Sequence, residues 1–235
     1  MNRWRRYFNK KSALFGASFQ ANDYSDQIAY LNIQDVTYQI LHRYGRCNQI
    51  LLDVGCGNGV LSERLAATFQ VIGIDYSLSA LAHASQRGIR CIQSSALRLP
   101  LKNAIADICA SIGMLQYLTR SEFPRLFEEL RRVCKNDGIV LISSLNPESI
   151  LRKIYGLFKN DRGTKFEEMF SIRDIASRLR HEKFDIVEYY YFFTPFKYWR
   201  RTTSPDRFCR FLSSTYLVVG RQALIPSHPR PVETC

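Results

Sequence analysis

The run Leu51-Leu52-Asp53-Val54-Gly55-Cys56-Gly57-Asn58-Gly59 concentrates the residue types that could hold a ligand. Glycines at alternate positions permit a tight turn and let backbone N–H groups approach a bound molecule. Asp75 follows 20 residues after Gly55, at the end of the next apolar run. A carboxylate at that place can accept both hydroxyls of a ribose. The spacing G-x-G-x-G differs from the dinucleotide fingerprint G-x-G-x-x-G, and Asp53, just before the first glycine, would repel a pyrophosphate. The pattern suits a cationic nucleoside without phosphate. S-adenosylmethionine, with a sulfonium, an ammonium, a carboxylate and a ribose, has that chemistry.

The elements that must position these residues follow from periodicity. Residues 24–43 repeat apolar side chains at Ile28, Leu31, Val36, Ile40 and Leu41, a helical spacing. Strands are expected at 49–54, 71–74, 89–93, 105–112 and 139–145, with helices at 60–69, 78–87 and 121–135 between them and a turn at Asn136-Asp137-Gly138. Strands alternating with helices imply βαβ units and a Rossmann-like, doubly wound, mostly parallel sheet. A further helix is expected at 171–181. Residues 184–193 and 215–219 are β-rich with a short linker, and predict an antiparallel pair that puts an antiparallel strand at one edge.

Asp53-Val54-Gly55-Cys56-Gly57-Asn58-Gly59 followed by Gly73-Ile74-Asp75 resembles the first motif and the next acidic motif of class I S-adenosylmethionine-dependent methyltransferases. The resemblance covers roughly residues 24–221. It points to the branch that includes ubiquinone and menaquinone biosynthesis methyltransferases: residues 95–101 (SALRLPL) are similar to its D-A-x-x-L-P-F stretch, 105–108 (IADI) to its F-D-x-V strand and 135–138 (KNDG) to its L-x-P-G-G turn. The resemblance implies that Asp53 and the loop Gly55, Cys56, Gly57, Asn58, Gly59 hold the methionine end. It implies that Asp75 binds the ribose, Tyr76 and Ser95-Ala96 flank the adenine, and Ile112 and Met114 line the methyl-transfer side. Tyr24 and His42, from the helix that caps the cofactor in such enzymes, are candidates to face the site. Two departures stand out. The acid usual at position 95 is Ser, and the histidine pair usual after the fourth strand is Gln116-Tyr117. That leaves Tyr117 as the only catalytic candidate, by position.

The rest of the chain bounds the function. With 46% hydrophobic and 23% charged residues it reads as globular, and its seven scattered cysteines, without a CxxC pair, read as cytoplasmic thiols. No metal site is expected from the four histidines, and Asp107 is expected to be structural. The net charge is +12, carried by the flanks: +4 over residues 1–46, +1 over 47–149 and +7 over 150–235. Domain organisation is read as a basic segment and capping helix (1–46), the cofactor-binding domain (47–221, with 146–213 supplying the acceptor region) and a loose tail (222–235). Tyr189–Phe193, Phe196 and Trp199 are candidates for an aromatic wall of the acceptor pocket. The expected activity is methyl transfer to a small or lipid-like molecule. Methylation of RNA, favoured by the charge, and a cofactor-binding partner subunit without catalysis are the alternatives. Trp4, Tyr7 and Phe8 share one side of a short helix among basic residues, which predicts a peripheral contact with anionic membranes.

Overall fold

A computed structural model describes residues 3–16, 18–24, 27–151, 168–193 and 198–223. One eight-stranded sheet has the order β3-β2-β1-β4-β5-β8-β6-β7. Its strands are β1 (Ile50–Val54), β2 (Gln70–Asp75), β3 (Arg90–Gln93), β4 (Ala106–Ser111), β5 (Cys134–Leu145), β6 (Phe184–Phe193), β7 (Tyr198–Thr202) and β8 (Thr215–Gln222). The helices are α1 (Arg3–Phe15), α2 (Gln27–Tyr44), α3 (Val60–Leu65), α4 (Leu78–Gln86), α5 (Phe123–Val133), α6 (Ile172–His181) and α7 (Arg207–Leu212).

Pairings from β3 through β5 are parallel, as the strand–helix alternation requires. The expected antiparallel pairing of 184–193 with 215–219 is present, Tyr189 opposite Val218. β8 lies inside the sheet, antiparallel to both β5 and β6, and the antiparallel edge strand is β7, which pairs Tyr190 with Arg201. The turn expected at 136–138 is a bulge within the longer β5: Ala106 pairs with Cys134 but Ile108 with Ile139. Asp137 takes a positive φ there, and Lys135 bonds the Asp107 carboxylate at 2.8 Å. Asp107 also accepts from the Ile50 N–H at 2.9 Å, a structural role.

Both faces of the sheet are covered, so its central strands are near-continuous apolar runs. One face packs Leu52, Ile74, Val140 and Val218 against α5 and α6. The other packs Leu51, Ile108, Leu141 and Val219 against α2 and α3. The phase of α2 differs from the apolar reading. Ile28 and Leu31 are exposed, whereas Tyr30, Ile33, Gln34, Val36 and Thr37 are buried. Polar side chains therefore belong to its inward stripe.

Candidate functional site

β1 and β2 end side by side, and their connections to α3 and α4 converge at the carboxyl end of the sheet, where α/β folds bind ligands. Gly55 (φ 83°) and Gly59 (φ 77°) occupy the left-handed region, and a Cβ on Gly59 would lie 2.8 Å from that of Ala84. The turn thus needs glycine there for conformation and for space. The N–H groups of Gly55 and Cys56 donate to the Ile74 carbonyl at 2.7 and 3.0 Å, tying the loop to β2. Asp75 accepts from the Gly57 N–H at 3.0 Å and the Ser77 N–H at 2.8 Å, so its carboxylate is held at the cleft. Ser62 donates to Asp53 Oδ2 at 2.6 Å.

A single cavity brings together Asp53, Gly55, Cys56, Gly57, Asp75, Tyr76, Ser95, Ala96, Ile112, Met114, Tyr117 and Tyr24. Asn58 and Gly59 do not line it. The Asn58 side chain is turned to the N-terminal segment, donating to the Ser18 carbonyl at 3.0 Å and accepting from Asn22 at 2.8 Å. His42 is also elsewhere, packed at a tilt against Tyr38 with ring centroids 4.2 Å apart. The Cys56 thiol is buried and pushed up by that burial, consistent with a small loop side chain rather than a nucleophile.

The roof of the cavity comes from the N-terminus. Trp4 and Phe8 pack edge-on to Tyr117 at 4.8 and 4.9 Å, and Phe8 reaches Tyr76 at 6.4 Å. Asn9 accepts from the Ser77 hydroxyl at 2.8 Å, fixing α1 to the start of α4. Asp23 accepts from Tyr7 at 2.6 Å, from Tyr117 at 2.8 Å and from Lys11. The aromatic side of α1 read as a membrane-facing surface is therefore turned onto the cleft, with Trp4 only 5% exposed. No helix among the described residues is long and apolar enough to cross a membrane. The aromatic run of β6 is likewise core: Tyr189 to Phe192 are fully buried in the sheet and none lines the cavity. Trp199 packs at a tilt against Tyr190 at 5.7 Å, and Phe196 lies outside the described residues.

Electrostatics define what the cavity accepts. Its charged lining is Asp53, Asp75 and Glu122; among the described residues no Lys, Arg or His lines it. Burial pushes the Asp53 carboxyl up to about 6, and burial also raises Asp75, offset in part by its backbone N–H donors. Buried carboxylates without a cationic side chain favour a cationic ligand and disfavour phosphates. S-adenosylmethionine fits that lining. Tyr117 is held neutral by burial and by the neighbouring Asp23, to which its hydroxyl donates. As arranged it is a donor, not a base.

Phe8, Asn22, Tyr30 and Gln34 at the site are not apparent from the glycine-loop motif. The available signal was the polar inward stripe of α2, Tyr30 and Gln34 being one turn apart.

Residues 51–138 match the methyltransferase domain family. A tRNA (carboxymethyluridine(34)-5-O)-methyltransferase of Arabidopsis thaliana is 35% identical over 95 residues, 40% of this chain and 23% of that protein. The chain spans half or less of the length of such curated relatives. A SAM-dependent methyltransferase of Thermotoga maritima superposes with a TM-score of 0.70 at 17% identity, over 93% of this chain and 97% of that one. Phosphoethanolamine N-methyltransferase 2 of Haemonchus contortus, in complex with S-adenosyl-L-methionine, superposes with a TM-score of 0.59 at 17% identity, over 80% of this chain and 52% of that one. The chain has the fold of class I S-adenosylmethionine-dependent methyltransferases, and residues 51–138 are similar to the methyltransferase domain family.

Proposed function

We propose that this protein is an S-adenosylmethionine-dependent methyltransferase acting on a small acceptor. The observation that carries the reading is the acid-lined cavity at the glycine loop, roofed by aromatic side chains of α1. When bound, S-adenosylmethionine would supply an electrophilic methyl group on a sulfonium. Asp75 would orient the ribose, and Tyr76, Ser95 and Ala96 would flank the adenine. Asp53, negatively charged above about pH 6, would attract the cationic end. Trp4, Phe8 and Tyr117 would exclude water, and Tyr24, Met114 and Ile112 would shape the acceptor side. The aromatic roof favours an acceptor of limited size. Similarity of residues 95–101 to the quinone-methyltransferase branch supports a ring or lipid-like acceptor. The net charge of +12 and the similarity to a tRNA methyltransferase favour RNA as the second reading.

Calorimetry with S-adenosylhomocysteine tests the cofactor assignment. Asp75→Ala is expected to weaken binding by about 1.5–3 kcal/mol, roughly tenfold to over a hundredfold. Equal affinity of wild type and variant, or preferential binding of NAD, refutes it. Transfer of labelled methyl groups to quinols or small amines, measured beside transfer to tRNA, separates the acceptor readings.

A further inference from the structure

Gln34 lies one turn beyond Tyr30 on α2, is 6% exposed, and lines the cavity together with Asp53 and Tyr30. Its Oε1 is buried and has no hydrogen-bond partner within the protein. A buried amide carbonyl without a partner bears its full desolvation cost, and the residue that carries it lines a ligand cavity, where a donor from the ligand would relieve that cost. The polar atoms lining the same cavity include further acceptors. The Asp53 carboxylate is one; the Tyr30 hydroxyl oxygen, which takes a hydrogen bond from Asn22 Nδ2 at 3.2 Å, is another. Such acceptors match a cation with several N–H donors, and the absence of any Lys, Arg or His from the described lining means that the protein supplies no such cation itself.

We propose that Gln34 is a cofactor-binding residue whose Oε1 accepts a hydrogen bond from the α-ammonium of the methionine end of S-adenosylmethionine, with Asp53 as the neighbouring charged acceptor. The proposal rests on the cavity being an S-adenosylmethionine site. Asp75 and Tyr76 belong to the nucleoside end, so Gln34 and Asp53 divide the recognition: one end reads the ribose, the other reads the amine. The consequence is selectivity. Gln34 contributes to binding only those ligands that carry the amino acid end.

The test compares wild type and Gln34→Met in the full chain by calorimetry with two ligands. S-adenosylhomocysteine carries the ammonium, while 5′-methylthioadenosine keeps the nucleoside and the sulfur but lacks the amino acid end. Gln34→Met is expected to weaken S-adenosylhomocysteine about tenfold to a hundredfold, the range for a hydrogen bond to a charged group. It is expected to leave 5′-methylthioadenosine within about twofold. A second readout is the thermal midpoint of the ligand-free protein. It should stay level or rise, because an unpartnered acceptor is exchanged for an apolar chain of similar volume. Undiminished binding of S-adenosylhomocysteine, equal losses for both ligands, or a lowered ligand-free midpoint each overturns the assignment. Wild type that binds neither ligand overturns the cofactor reading itself, an outcome distinct from the other three.

Discussion

Asp53 sets the pH behaviour of the site. Its carboxyl is raised from its ordinary value near 4 to about 6 by burial, against the lowering effect of the Ser62 hydroxyl and with a further increase from nearby Asp75. In the ligand-free protein the folded state therefore binds a proton more tightly than the unfolded chain. The stability this confers is complete below the unfolded value and is lost as pH rises through about 6. A cationic ligand reverses the preference, because it binds best to ionised Asp53. Affinity for S-adenosylhomocysteine is thus expected to fall as pH drops below about 6, with proton release on binding near that pH. Asp53→Asn should bind more weakly at neutral pH and lose that pH dependence. Calorimetry in two buffers of different ionisation enthalpy measures both effects. A wild-type affinity that is flat from pH 5 to 8 removes Asp53 from the ammonium end.

At the scale of elements, the glycine loop and its acid were legible because their constraints are local. Apolar runs ending in Gly55 and Asp75 define strands, and the left-handed φ of Gly55 and Gly59 follows from residue type. The roof was not legible. Its contacts join residues far apart in sequence: Asn9 to Ser77, Asn22 to Asn58 and Asp23 to Tyr117. Nothing in the aromatic spacing of Trp4, Tyr7 and Phe8 says whether that side meets a bilayer or the protein's own cleft. The buried partners decide it, and they put Phe8 between Tyr76 and Tyr117. With Phe8 of α1 over the cavity, release of a bound cofactor is expected to require the N-terminal segment to undock, and the Tyr117–Asp23 hydrogen bond is one of the links that hold that segment in place. Tyr117→Phe keeps the ring packing and removes that link. S-adenosylhomocysteine is expected to dissociate about tenfold faster or more, given the strength of a hydrogen bond to a carboxylate. Stopped-flow displacement followed by tryptophan fluorescence reads the rate. A lowered thermal midpoint with an unchanged dissociation rate means that α1 is not the gate.

The whole molecule divides its work across the sheet. β3, β2, β1 and β4 carry the cavity at their carboxyl ends, while β6, β7 and β8 extend the sheet beyond β5. The run Tyr189–Phe193 reads equally well as pocket wall or as strand core, since both want large apolar side chains; the composition alone does not separate them. The sheet order does. Three strands separate β6 from β1, about 19 Å at the usual strand spacing. Successive residues of β6 are buried on alternate faces, Tyr189 and Tyr191 with α5 and α6, Tyr190 and Phe192 with the α2 side. Its polar groups are paired with residues that do not line the cavity. Glu188 accepts from Tyr190 at 2.5 Å and from Arg43 at 3.3 Å, and Tyr191 accepts from the Asp206 N–H at 3.0 Å. Energy stored in this half should therefore support folding without touching recognition. Tyr189→Leu, at a fully buried position whose hydroxyl accepts from Arg180, is expected to lower stability by about 1–3 kcal/mol. Affinity for S-adenosylhomocysteine should stay within about twofold, because the two sites are distant and share no partner. Denaturant unfolding and calorimetry on the same sample check both numbers. Retained stability with lost affinity would return the aromatic run of β6 to the binding site.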